Sequence, residues 1–148
     1  FQINLMILFF KKKQTENKDK ITLICSLLVH AAKIDENYTE KEKKIILSAL
    51  AQLYNKNEDE LIEVLAQAEK LEDQSNQILK FTKAVKDYDK KFRLKVLETI
   101  WKIIYSDGVS DIYESNLMRR LSSLLYISDR ENGEIKKNLI VKLNLWRT

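Results

Sequence analysis

Proline is absent from this chain, and glycine occurs only twice, at Gly108 and Gly133. Without these two backbone punctuators, a fold of many short strands and tight turns is disfavoured, and helices joined by short turns are expected. There is one cysteine, Cys25, so no internal disulfide can form. Lying inside the apolar run Leu23 to Val29, it reads as a small buried hydrophobe, and a reducing compartment is expected. The single histidine, His30, stands five residues from Cys25, more than one helical turn away. The two therefore make no nucleophile–base pair, and a partly exposed helix position accounts for His30. No glycine-rich phosphate loop occurs, so no catalytic residue is assigned. An excess of one charge is also lacking. The net charge of +4 and pI near 9.0 spread lysine among 22 acids, without the basic stripe of a nucleic-acid binder.

What is present is a large apolar fraction, 45% of 148 residues, enough for one domain with a real core. Phe1 to Phe10 is almost wholly apolar and is followed directly by Lys11, Lys12 and Lys13. As a helix it would reach about 15 Å, half of a hydrocarbon core of roughly 30 Å, so it does not span. The lysines follow the apolar run, the wrong order for a signal peptide. Met6 is a candidate start. Packing segment and interfacial membrane anchor, apolar wedge first and lysines at the headgroups, are the two readings of residues 1–13. A boundary at residue 20 separates this segment from a helical domain over 21–148.

Within that domain Ile21, Ile24, Cys25, Leu28 and Ala32 follow a helical period. Thr39-Glu40-Lys41-Glu42 fits a capping box, a hydroxyl and a carboxylate satisfying the first backbone amides. Ile45, Ile46, Ala49, Leu50 and Leu53 continue that helix up to Asn55-Lys56-Asn57, and a further one starts near Glu58 with Leu61, Val64, Leu65, Ala68 and Leu71. Seven acids fall between Lys56 and Asp73, and seven bases between Lys80 and Lys95. The favoured reading is two solvated helix faces that attract each other; the second is a polarised surface that docks a partner. Phe92 to Ile104 is the most amphipathic helix, ended by an Asp107-Gly108 turn where glycine suits the left-handed conformation. Asp111-x-x-Glu114 is a second capping pattern, leading into Leu117, Met118, Leu121, Leu124 and Leu125, and Ser128 caps a last helix. Trp101 and Trp146 read as core or helix-end packing.

Sliding the chain by 72 residues superposes its halves: Ile24 on Val96, Leu28 on Ile100, Ala32 on Ile104, Asp35 on Asp107, Glu42 on Glu114 and Tyr54 on Tyr126. The expected fold is thus all-α, one bundle of about seven helices with two pseudo-repeated helix-turn-helix halves.

The second copy, Ile104-Tyr105-Ser106-Asp107-Gly108 through Glu114 to Arg119-Arg120-Leu121, resembles the TerB-like family of tellurite-resistance B proteins and their relatives. So does its sequel, Leu124-Leu125-Tyr126-Ile127-Ser128-Asp129-Arg130. The first copy departs from that pattern, with Glu36 where glycine is usual. The resemblance covers roughly Ile21 to Val141. It implies an all-helical module without known catalysis, linked to tellurite and other stress responses and often near the membrane. A related domain precedes the J-domain of the membrane co-chaperone DjlA, but without proline no His-Pro-Asp signature exists here. A protein partner, membrane-associated stress proteins among the candidates, follows from the resemblance, with a cytoplasmic or peripheral inner-membrane location.

The acidic residues of the twin turns are the candidate site: Asp35, Glu42, Asp107, Asp111 and Glu114. Glu42 and Glu114 are accounted for as caps favoured by the helix dipole. Asp35 and Asp107 follow helix C-termini, where the dipole disfavours negative charge, so a cap, a basic side chain or a cation should compensate. Carboxylates without histidine or cysteine select Ca²⁺ or Mg²⁺. The twelve-residue EF-hand loop is missing. Capping alone is the preferred reading and cation binding the second.

Overall fold

Residues Gln2 to Ala32, a stretch free of glycine and proline, form a single helix, α1, 31 residues long. The expected boundary at residue 20 leaves no mark on the backbone: the polar stretch 14–20 contains no breaker, and its Lys18 and Asp19 face solvent. A computed structural model describes residues 2–34, 37–76, 78–107 and 112–147, apart from the side chains of residues 2, 13–17, 107, 112–114 and 145–147. After α1 come α2 (Glu40–Tyr54), α3 (Glu58–Gln74), α4 (Leu79–Lys86), α5 (Lys90–Ile104), a 3₁₀ turn (Tyr105–Asp107), α6 (Ile112–Leu124) and α7 (Asp129–Arg147). No strand occurs among the described residues. The fold is an all-α bundle, as composition and periodicity predict.

Two helices form its centre. In the second half of α1 the predicted face is buried, and so are Leu27, Val29 and Ala31. Helices α2, α3, α4 and α5 all pack on α1, so water is removed from most of its surface, with Thr22, Leu23 and His30 left partly exposed. Helix α5 buries Val96, Leu97, Ile100, Trp101, Ile103 and Ile104 and touches α1, α2, α4, α6 and α7. The pairs Ile24/Val96, Leu28/Ile100 and Ala32/Ile104 all lie in this core.

Local chemistry sets the helix ends. Thr39 Oγ1 accepts from the Glu42 amide at 3.2 Å while Glu42 Oε1 accepts from the Thr39 amide at 2.9 Å, completing the predicted box. Asp89 caps α5, accepting from the Phe92 amide at 2.9 Å. Ser128 caps α7 and exchanges hydrogen bonds with Glu131. Lys90 also reaches Glu131, at 2.9 Å, and chiefly this contact holds the Glu131 carboxyl below its ordinary range. The short α4 is the element that periodicity does not mark, although its Phe81, Ala84 and Val85 are buried.

One expectation is corrected. The acidic run lies on α3 and the basic run on α4 and the first half of α5, but these faces do not hold each other. Both helices dock on α1, and no ion pair joins the two sets among the described residues. Glu72 instead takes Lys33 at 3.0 Å and His30 at 3.2 Å, both at the end of α1. Of the basic set, Lys90 pairs with Glu131, Arg93 reaches the Leu125 carbonyl and Lys95 lies near Glu98, while Lys80, Lys83 and Lys91 are exposed.

Candidate functional site

The twin turns are only partly described. Asp35 and Asp111 lie outside the described residues, as does Gly108 with its expected left-handed conformation. Asp107 closes the 3₁₀ turn and Glu114 stands in the first turn of α6, but the side chains of both are outside the description. Glu42 is the one predicted site residue whose carboxylate can be followed. It is buried at 4% exposure, and its Oε1 accepts from both the amide and the hydroxyl of Thr39. That is the geometry of a cap, placed where the α2 dipole favours negative charge. Among the described residues no group of three or more Asp, Glu, His or Cys is arranged to hold a metal ion.

Lys41, beside Glu42, was not among the predicted site residues. Its Nζ donates to the carbonyl oxygen of Ser106 at 2.8 Å, across to the 3₁₀ turn that follows α5. The start of the first turn's second helix and the end of the second turn's first helix are therefore neighbours. A lysine at the start of α2 supplies the positive charge that the C-terminal end of α5 favours. No spacing rule could have announced it, because the pair is 65 residues apart in the chain. Arg93 does the same for α6, donating from Nη1 to the Leu125 carbonyl oxygen at 2.8 Å.

The chain's cysteine and histidine are each engaged elsewhere. Cys25 is fully buried, and burial first, then the charge of Glu69, pushes its thiol far above the ordinary range, so it stays protonated. His30 faces Glu72 through Nδ1 rather than Cys25. Trp101 is buried and donates from Nε1 to Asn132 at 2.8 Å, fastening α5 to α7 as a packing residue. Trp146 has its side chain outside the described residues.

A concavity lies elsewhere, between α2 and α5. It is a groove of about 590 Å³, open along one side, with Ile45, Ala49, Leu53 and Phe92 in its floor. Lys41 and Lys44 stand on its α2 wall and Lys91, Lys95 and Lys102 on its α5 wall. A second hollow of about 430 Å³ shares Lys41, Ile45 and Lys102 with it and continues past Tyr105 to Leu139, Lys142 and Leu143 of α7. The two make one apolar channel with a lysine rim. It contains no histidine or cysteine, so what it offers a ligand is apolar area and positive charge.

Comparison with known families matches residues 22–137 to the model described as tellurite resistance protein TerB. Neither curated proteins nor solved structures returned a match.

Proposed function

The chain belongs to the TerB family, and from that premise we propose that it is a non-enzymatic stress-response module of the tellurite-resistance type. It acts by holding a protein partner, with a divalent cation as a further ligand at the twin acidic turns. The observation that carries this reading is the family match over residues 22–137, which takes in both turns and both walls of the groove. The burial of Cys25 and the pairing of His30 with Glu72 support a binding role over a covalent one. Deleting the gene should sensitise cells to tellurite or to oxidants, and the wild-type chain should restore survival. Equal survival of deleted and complemented cells under every stress tried would sink the proposal.

A second reading rests on α1. Ile3, Leu5, Met6, Ile7, Leu8, Phe9 and Phe10 are 47–72% exposed. At 100° per residue these positions cover every side of the helix, which suits lipid rather than a one-sided protein groove. Lys11 and Lys12 follow, also exposed, at the level where lipid headgroups would stand. No helix among the described residues is long and apolar enough to cross a membrane. We therefore propose as the alternative a peripheral adaptor, in the manner of a membrane co-chaperone's interaction domain, whose acidic turns are purely structural. Removing residues 1–13 leaves the buried half of α1, which starts at Ile21, intact. The full chain should float with phosphatidylglycerol vesicles and the truncated one should stay in the load fraction. If truncation changes nothing, the adaptor reading fails.

A further inference from the structure

We propose that the groove between α2 and α5 is a docking site for an amphipathic helix of a partner protein, one with an apolar stripe flanked by acidic residues. The inference rests on the reading of this chain as a binding module and names the chemistry of what it binds.

The floor has the form a helix requires. Ile45, Ala49 and Leu53 recur every four residues on α2, a half-buried stripe about 12 Å long. An incoming helix anchors by apolar side chains at i, i+3 or i+4, and i+7, which span about 10 Å. Phe92 and Thr99 complete the opposite side of the floor, and Leu139 and Leu143 prolong it.

The rim selects the charge. Six lysines, residues 41, 44, 91, 95, 102 and 142, surround the channel against two acids, Asp89 and Glu98. Asp89 is committed to capping α5. Glu98 lies 3.8 Å from each of Lys95 and Lys102 and is outnumbered by them. Among the described residues Lys44, Lys91 and Lys142 have no ion-pair partner. A run of lysines along an open apolar groove attracts an acidic helix and repels a basic one.

Three other occupants fit less well. The chain's own exposed segment, Ile3 to Phe10, has the apolar anchors but leads into lysines, which the rim repels. Helix α3 of a second copy is acidic, but its stripe of Leu61, Val64, Leu65 and Ala68 is buried in its own bundle, leaving Ile62 as an anchor. Single-stranded nucleic acid needs exposed aromatic rings for stacking, whereas this floor is mainly aliphatic with a half-buried Phe92.

The test uses the full chain and a fluorescein-labelled synthetic helix with leucines at i, i+4 and i+7 and glutamates on both flanks. Two controls accompany it, the same peptide scrambled and the same peptide with lysine flanks. The glutamate helix should bind at least about tenfold more tightly than either control, and binding should weaken as salt rises. Amide shifts should centre on Ile45, Ala49, Leu53 and Phe92. The triple variant Lys44→Glu, Lys91→Glu, Lys95→Glu changes only exposed side chains and should keep its melting temperature while losing about tenfold or more in affinity. Equal binding of the three peptides, shifts centred elsewhere, or full affinity in the triple variant would overturn the proposal. So would phosphatidylglycerol vesicles that shift the groove residues where the peptide does not. Failure here leaves the stress-survival result standing, so the two readings can be lost separately.

Discussion

Leu28→Ala and Ile100→Ala should each cost about 2–5 kcal/mol of folding stability, read from the midpoint of a urea melt. Both side chains are fully buried, one in each of the two central helices. Truncation removes apolar contacts and leaves a cavity that the surrounding helices close only in part. At about 2–4 °C per kcal/mol for a domain of this size, either variant should melt at least several degrees below the wild type. Ile62→Ala is the control. That side chain is 55% exposed on α3 and should change stability by no more than about 0.5 kcal/mol. If the core variants behaved like the control, α1 and α5 would not be the paired centre of the bundle.

Millimolar Ca²⁺ or Mg²⁺ should raise the melting temperature if the cation reading of the acidic turns holds. Ligand at one hundred times its dissociation constant adds about 2.7 kcal/mol. Asp107→Asn should blunt the rise, because it removes the carboxylate at a helix end where negative charge is otherwise disfavoured. Glu42→Gln separates the roles. It keeps the size of the side chain but weakens the acceptor of the Thr39 amide, so it should cost about 0.5–2 kcal/mol as a lost cap. A purely structural Glu42 loses the same amount with and without the ion. A shift in neither the wild type nor Asp107→Asn would rule out a cation at these turns.

The sequence carried the local part of this protein. Thr39 with Glu42, and Ser128 before α7, announced helix starts that the structure reproduces, since a cap involves residues only three apart. The positions Ile24, Leu28, Val96 and Ile100 were legible as core because a 3.6-residue period needs no knowledge of the partner helix. The 72-residue offset rests on the same kind of pattern, yet the positions it pairs do not share surroundings throughout. Helices α2 and α6 start 72 residues apart, at Glu40 and Ile112, but reverse differently. The chain turns left-handed at Asn55 after α2, whereas after α6 it does so at Tyr126 itself, with φ of 58°. Tyr54 thus packs against Tyr88 and Phe92, while Tyr126, its counterpart by sequence, is 68% exposed under Lys86.

The candidate site divides along the same line. By itself the sequence determined the helical class, the central apolar stripes, the caps and the family likeness, because each rests on residue types a few positions apart. The tertiary structure alone decided where the charges go. It sent Lys41 to the Ser106 carbonyl and docked the acidic and basic helices on α1 without pairing them. It also lined an apolar channel with six lysines, of which Lys44, Lys91 and Lys142 have no ion-pair partner among the described residues. Such outcomes depend on which helix faces meet across long stretches of chain, and a local pattern holds no record of that.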